Sequence, residues 1–182
     1  FQAVPVDAHG RLDRSQLEPT GDAAVVLTAG TTGRGVIDAL APVPCRWLHV
    51  DAAWAGPLRL TRYGARLDGI EQADSVAISA HKWLYQPKDS AIILFRAADA
   101  QEAISFGGSY LATPNVGVQG SRGASAIPLM ASLMALGRTG LAALIEKNMA
   151  DADELAARIG ADPRLELKQA PEAGVLNWRP VD

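Results

Sequence analysis

The fold is decided by the stretch Trp47-Leu48-His49-Val50-Asp51-Ala52-Ala53-Trp54-Ala55-Gly56, in which a short apolar run ends on an aspartate and a turn of small residues. Three other apolar runs also end at turn residues, namely Val25–Thr28, Ser75–Ser79 and Ala91–Phe95. Such near-continuous apolar runs are typical of strands that are covered on both faces. Segments of helix length separate them, for example 35–40 and 64–73, so strands and helices alternate. The sequence therefore predicts an α/β fold with a mostly parallel sheet flanked by helices.

Composition limits the kinds of partner that this chain is expected to have. Of its 182 residues, 48% are hydrophobic and 20% are charged, as in ordinary soluble globular proteins. The net charge of −3 does not favour binding to nucleic acid or to an anionic membrane. We expect no membrane-spanning helix, since no apolar run approaches the roughly 18–20 residues required. The single cysteine, Cys45, cannot form an internal disulfide and favours a cytoplasmic location. No metal site is predicted.

The character of the sequence changes after Phe95. Residues 105–123 contain five glycines and read as a long loop, which in a compact domain is often functional. Residues 124–137 and 140–159 are predicted to be helices, and 165–167 and 175–178 to be strands of a second, smaller unit. In the second helix, apolar spacing predicts a core-facing stripe. Its members are Leu141, Leu144, Ile145, Asn148, Ala152, Leu155 and Ile159.

Polar residues follow three of the predicted strands at the point where each strand ends. Thr31 follows the first, Asp51 ends the second, and Lys82 follows the third. In an open parallel sheet, ligands bind outside the carboxyl ends of the strands, where the loops converge. Lys82 is therefore either a solvated surface charge or an amine nucleophile toward aldehydes, activated beside the cationic His81. Asp51 is either a structural cap or a partner for a pyridine nitrogen.

The glycines of the first turn raise a different possibility. Gly30, Gly33 and Gly35 are followed by an acid at Asp51, as in a dinucleotide-binding site. Their spacing, GxxGxG, is the reverse of the GxGxxG that the phosphate-binding turn requires. We therefore interpret these glycines as residues of a tight turn, where glycine readily adopts positive φ.

Five segments together resemble one known family. His49–Gly56 and Ser79–Leu84 resemble the two signature segments of the group II pyridoxal-phosphate (PLP) dependent amino-acid decarboxylases. Leu67–Ser75 is similar to the family's linker between them, Ala29–Gly33 to its threonine-rich turn, and Asp162–Leu167 to the start of its small domain. The resemblance implies the large domain of a fold-type-I PLP enzyme, followed by the start of a small α+β C-terminal domain.

The resemblance also implies a division of the chain. Residues 1–137 would be part of the PLP-binding large domain, 138–160 a connecting helix, and 161–182 the beginning of the small C-terminal domain. Because the sequence begins at Phe1 and stops directly after a predicted strand, we expect an N-terminal part and the rest of the C-terminal domain to be absent.

Roles for individual residues follow from the resemblance. Lys82 would hold the cofactor as a Schiff base, Asp51 would face the pyridine nitrogen, and Ala53 would lie flat against the ring. Tyr110, in the glycine-rich loop, would return a proton to the substrate carbon. Further contacts to the cofactor or its phosphate would come from His81, Ser79, Thr31, Gly120 and Ser121.

The function implied is removal of the α-carboxylate of an L-amino acid as carbon dioxide, giving the amine. The resemblance also implies a homodimer with its active site at the subunit interface. Two alternatives remain open. One is another PLP reaction on the same fold, by a carbon–carbon lyase or an aminotransferase. The other is a non-catalytic homologue, although such a protein would be expected to lose Lys82 and Asp51 first.

Overall fold

A computed structural model describes residues 2–18, 20–107, 115–116 and 124–181. A four-stranded sheet forms its centre, in the order β1-β2-β3-β4. The strands are β1 (Thr20–Thr28), β2 (Cys45–Asp51), β3 (Ser75–Ser79) and β4 (Ala91–Phe95). The first three run parallel, and β4 pairs antiparallel with β3. The predicted mostly parallel α/β sheet is confirmed.

The core lies on one side of the parallel strands. Leu27 and Val50, from neighbouring strands, are fully buried. They share one cluster with Leu58, from a short 3-10 helix (Gly56–Leu60), and with Ile145 and Met149, which lie far along the chain. Burying each such side chain contributes roughly 1.5–3 kcal/mol. The core therefore joins the sheet to the second half of the chain.

The predicted helix over 35–40 is wrong. Residues 29–37 form a tight loop, in which the N–H groups of Gly30 and Thr31 both donate to the carbonyl of Val36, each at 3.0 Å. Gly30 and Gly35 have φ of +93° and +65°, so neither residue fits an α-helix. The next predicted helix, 64–73, consists of two 3-10 turns, Gly64–Leu67 and Ile70–Gln72. They are separated where Gly69 adopts a φ of +98°.

A short helix and a small hairpin follow β4. Helix α1 (Ala98–Ala103) was not predicted. Strands β5 (Ser105–Phe106) and β6 (Asn115–Val116) pair antiparallel within the segment that was predicted to be a long loop. The rest of the loop's middle and end, 108–114 and 117–123, lies outside the described residues.

The two predicted helices are confirmed: α2 (Ala126–Ala161) consists of two helical parts, separated by non-helical backbone at Gly137 (φ +60°, ψ −177°). The second part buries Leu141, Ile145, Met149, Ala152, Ala156 and Ile159. This spacing of four, four, three, four and three residues follows one helical face. The predicted stripe is therefore partly wrong, because Leu144, Asn148 and Leu155 are exposed, whereas Met149 and Ala156 face the core.

Helix α2 bears on the expectation about membrane-spanning segments, which stays a prediction. An 18-residue window in α2 has a mean hydropathy of 1.4, and the helix is long enough to cross a membrane. These are criteria of length and composition only, and as such they are weak evidence for a span. Only 11% of that window is buried, and Ile127, Met130 and Met134 of α2 are exposed.

The end of the chain forms a small two-stranded sheet. Strand β7 (Leu165–Leu167) pairs antiparallel with β8 (Trp178–Pro180). The first matches the prediction, whereas the second begins three residues later than predicted. The proposed division at residues 137 and 160 remains a prediction.

Candidate active site

Three turns lie side by side at the carboxyl edge of the parallel strands. Asp51, the last residue of β2, has Thr28 of β1 and Ala77 of β3 as its register partners. Backbone hydrogen bonds continue this pairing past the strand ends. The N–H of Ala29 donates to Asp51 (2.8 Å), and that of Ser79 donates to Ala53 (3.3 Å). The predicted convergence of the three strand ends is therefore confirmed.

Asp51 presents an exposed carboxylate at this edge. Its Oδ1 accepts the backbone N–H of Ala53 at 3.0 Å, which fixes the carboxylate against its own turn. Within the described part of the chain, no donor forms a hydrogen bond with Oδ2. Oδ2 can thus accept a hydrogen bond from a group other than the described residues.

Lys82 lies on the turn after β3 and is half-buried. Its carbonyl accepts the N–H of Tyr85 at 3.1 Å, and its own N–H donates to Ser79 at 3.4 Å. On the same turn, Ala80 is fully buried; its N–H donates to the carbonyl of Ser90, and its carbonyl accepts the N–H of Gln86. No carboxylate of the described residues pairs with the Lys82 ammonium. The amine therefore sits on a well-held turn without an ion-pair partner.

His81, directly before Lys82, contains an unusual atom. Its Nδ1 is buried and has no hydrogen-bond partner among the described residues. Leaving a buried polar atom unpaired costs about 1–3 kcal/mol, so such atoms often mark a place where a ligand or water supplies the partner. The imidazole therefore has capacity for a polar ligand next to the lysine.

The remaining predicted residues divide into two groups. Ala53 and Ser79 are partly buried on the same turns as Asp51 and Lys82. The Thr31 hydroxyl accepts the N–H of Val36 at 3.3 Å, so Thr31 helps to close its own turn. The other three predicted residues, Tyr110, Gly120 and Ser121, lie outside the described residues.

Sequence analysis missed a buried carboxylate that supports the first turn. Asp38 accepts the N–H groups of Leu12 (2.8 Å) and Thr28 (2.7 Å), and its own N–H donates to the carbonyl of Thr28 (2.9 Å). Its signal in the sequence was an acid between Val36-Ile37 and Ala39-Leu40, with no basic neighbour in that segment.

A second missed carboxylate, Asp74, holds β2 next to β3. Its Oδ2 accepts the N–H of Leu48 at 2.8 Å, and its other oxygen pairs with Arg96. The Leu48 hydrogen bond, followed by the hydrogen bond and charge of Arg96, lowers the pKa of Asp74 below its usual value. Asp38 and Asp74 stabilise the backbone around the site, and we assign neither of them a role in a reaction.

Comparison with known proteins identifies the family. Residues 14–180 match the model of the pyridoxal-dependent decarboxylase conserved domain. The chain belongs to this family. L-2,4-diaminobutyrate decarboxylase of Rhizobium meliloti (strain 1021) is 31% identical over 205 residues, covering 98% of this chain and 41% of that protein. Aspartate 1-decarboxylase of Aliivibrio fischeri (strain ATCC 700601 / ES114) is 33% identical over 172 residues, covering 87% and 31%.

Solved structures agree with this assignment. Mouse CSAD in apo form has a TM-score of 0.81 at 28% identity, covering 94% of this chain and 41% of that chain. The glutamate decarboxylase domain of a diaminobutyrate-pyruvate transaminase and L-2,4-diaminobutyrate decarboxylase from Vibrio parahaemolyticus has a TM-score of 0.78 at 25% identity, covering 98% and 39%. The fold-type-I class is thereby confirmed. The chain spans about two fifths of the length of these relatives or less.

The decarboxylase family uses PLP, and the described residues fit that cofactor. PLP carries an aldehyde, a pyridine nitrogen and a phosphate. Among the described residues, the Lys82 amine has no ion-pair partner, one Asp51 carboxylate oxygen has no donor, and the buried Nδ1 of His81 has no hydrogen-bond partner. Three complementary groups on adjacent turns are what such a cofactor needs.

Proposed function

We propose that this chain supplies the lysine-bearing part of a PLP site in an enzyme that decarboxylates an L-amino acid to the corresponding amine and carbon dioxide. The proposal rests on one observation above all. Lys82, which has no ion-pair partner among the described residues, lies on the turn beside the one that carries Asp51. Family membership supports the reaction class, because the family's members are named as decarboxylases of amino acids.

When bound, PLP supplies an electron sink for the carbanion that remains after carbon dioxide departs. The protein's own groups set orientation and charge. The Asp51 carboxylate would keep the pyridine nitrogen protonated, since a nearby negative charge favours the charged form of a base. The Lys82 amine would hold the cofactor's aldehyde carbon, and the small Ala53 side chain would leave room for the ring.

We propose that the phosphate is bound by groups on two of these turns and beyond. His81 Nδ1, with no partner in the described structure, can donate a hydrogen bond in the appropriate tautomer. The Ser79 and Thr31 hydroxyls can also donate. Gly120 and Ser121 would add donors from the second helical region, where a helix N-terminus suits an anion. Tyr110 would return a proton to the substrate carbon.

The assembly and location are also proposals. We propose a cytoplasmic homodimer, with its active site at the subunit interface and an amino acid as its small-molecule substrate. The lone Cys45 favours a reducing compartment. Exposed apolar side chains on the first part of α2, such as Ile127 and Met134, favour contact with further protein.

The experiment uses the full-length protein and its covalent adduct with PLP. Wild-type protein should bind PLP with an absorbance band near the visible edge, and borohydride should fix the cofactor on Lys82 in a peptide mass map. Lys82→Ala should lose the adduct and all turnover. Lys88→Ala, which removes an exposed lysine from the same loop, should change neither.

Product analysis then separates the reaction types. Carbon dioxide and an amine support decarboxylation, an aldehyde indicates a carbon–carbon lyase, and a keto acid indicates an aminotransferase. An adduct on another lysine, or turnover that survives Lys82→Ala, contradicts the assignment of Lys82.

A further inference from the structure

A four-residue segment from the small C-terminal unit lies against the turns of the site. We call this segment, Glu172–Val175, the strap. The indole N–H of Trp54 donates to the carbonyl of Ala173 at 2.6 Å, across 119 residues of sequence. Ala173 is fully buried and Trp54 is partly buried, so this hydrogen bond is partly buried. One strap residue, Ala173, is thus part of the core, while the other three are partly buried.

Two tryptophans connect the strap to the reacting groups. Trp54 lies three residues after Asp51, and Trp83 follows Lys82 directly. Their rings meet edge to face, with centroids 5.4 Å apart and planes at 67°. Trp83 is buried, with 6% of its surface exposed. The ring pair therefore joins the turn that carries the pyridine partner to the turn that carries the lysine.

Three glycines permit this close approach. Gly30 (φ +93°) leaves no room for a side chain, since a Cβ would lie 2.9 Å from Trp54 Cδ1. At Gly35 (φ +65°), a Cβ would lie 2.6 Å from that of Val175. At Gly174 (φ +70°), it would lie 3.1 Å from Trp83 Cζ2. Each glycine combines a backbone conformation that suits it with contact to the strap or the ring pair.

The strap is also held at its first residue. Glu172 Oε2 accepts the N–H of Ile37 at 3.1 Å, and its Oε1 pairs with Arg11. The guanidinium of Arg66 donates to the Glu172 carbonyl. The glutamate therefore fixes the start of the strap to the turn after β1, while Ala173 fixes its middle to the turn after β2.

We propose that Trp54 and Trp83 are positioning residues, through which docking of the strap sets the position of the Lys82 turn beside Asp51. Lys82 is bonded directly to Trp83, whose ring is confined by Trp54 and Gly174. A strap that moves away takes Gly174 from that ring and leaves the Trp54 indole without its hydrogen bond to Ala173, and the lysine turn loosens with it. If the docked strap raises the affinity of the ordered turn for the cofactor, bound cofactor favours the docked strap by the same factor, because the two equilibria are linked. This last consequence rests on the proposed function.

The test is Trp54→Phe in the full-length protein, which keeps a ring and removes the indole N–H. Amide hydrogen exchange of the cofactor-free protein should accelerate roughly fivefold to tenfold, as expected for the loss of one hydrogen bond. The acceleration should appear in two peptides, one covering 172–178 and one covering 79–86. Trp47→Phe is the matched control, because its indole N–H donates to Ser75 Oγ (2.9 Å), away from the strap. It should leave both peptides unchanged.

The pattern across the two peptides decides the proposal. If exchange is faster in 172–178 alone, the hydrogen bond holds only the strap, and the positioning role is overturned. No change in either peptide overturns it as well. If Trp54→Phe does not fold, Glu172→Gln replaces it in this test. Glu172→Gln weakens the contacts at the first residue of the strap and keeps both tryptophan rings, and it should give faster exchange in both peptides.

A reciprocal measurement separates this proposal from the proposed function. Adding PLP to wild-type protein should slow exchange in 172–178, and Trp54→Phe should reduce that protection. A wild-type protein that takes up no PLP contradicts the proposed function, whereas the exchange pattern of the cofactor-free variants still decides the coupling.

Discussion

Replacing Gly35 by alanine is expected to destabilise the folded protein by about 1–5 kcal/mol. An L-residue in the left-handed region, at φ of +65°, costs about 1–2 kcal/mol. The new Cβ would lie 2.6 Å from Cβ and 2.8 Å from Cγ2 of Val175, and such overpacking costs about 1–3 kcal/mol. A less flexible unfolded chain offsets about 0.4–1 kcal/mol of this.

The assay for Gly35→Ala is urea unfolding of the full-length protein, followed by both circular dichroism and fluorescence to check that one transition is seen. Gly33→Ala is the matched control, because its Cβ would meet nothing within 4 Å and its φ is not positive. It should stay within about 0.5 kcal/mol of wild type. In a double-mutant cycle, Val175→Gly removes both overlapping atoms and should recover the overlap but not the φ strain, giving a coupling of about 1–3 kcal/mol. Equal stabilities of the two glycine variants, or no coupling to Val175, refute the reasoning.

Two further predictions concern α2 and its end. Ile145→Ala should cost about 2–5 kcal/mol in urea unfolding, because Ile145 is fully buried, whereas Leu144→Ala should cost about 1 kcal/mol or less. Equal losses mean that the core face of α2 is misplaced. The hydrogen bonds from the Arg164 side chain and then its backbone N–H lower the pKa of Asp162 to about 2. Because the folded pKa is depressed, Asp162 stabilises the fold at neutral pH, and this contribution should disappear as pH falls from about 4 to about 2. An NMR titration of the carboxylate should show this pKa, and Arg164→Gln should raise it; an unchanged pKa contradicts the assignment.

The strands and the site could be predicted because their signal is local. An apolar run that ends on a polar residue marks both a buried strand and its carboxyl end, so the amino-acid sequence by itself places Asp51 and Lys82 at one edge of the sheet. Nothing comparable marked the segment after β1. Val36, Ile37 and Leu40 have the spacing of a helical face, yet the loop buries all three. The segment's backbone groups have distant partners in place of helical ones. The N–H groups of Ile37 and Asp38 donate to Glu172 Oε2 and to the Thr28 carbonyl. The Val36 carbonyl accepts the N–H groups of Gly30 and Thr31.

The prediction of which residues of α2 face the core was partly wrong for a related reason. Leu144 and Leu155 are apolar and lie at helical spacing, so the pattern alone cannot exclude them from the core. Packing against the rest of the protein determines which face of α2 is buried. Met149 belongs to the buried cluster that contains Val50 and Trp83, so the core face lies away from Asn148. A face chosen by composition is accurate only to about one residue's rotation, which is about 100° on a helix.

The residues that support the site were beyond prediction because their partners are far away in sequence. Trp54 bonds to a carbonyl 119 residues later, and Glu172 reaches back 135 residues to Ile37. A sequence motif identifies the residues that would contact a cofactor, because the chemistry of the cofactor restricts which residue types can occupy those positions. Their placement within tenths of an ångström depends on packing, which is constrained only in three dimensions. A homologue could therefore keep Lys82 and Asp51 and still lose cofactor binding through a change in the strap, and its motifs would not reveal the loss.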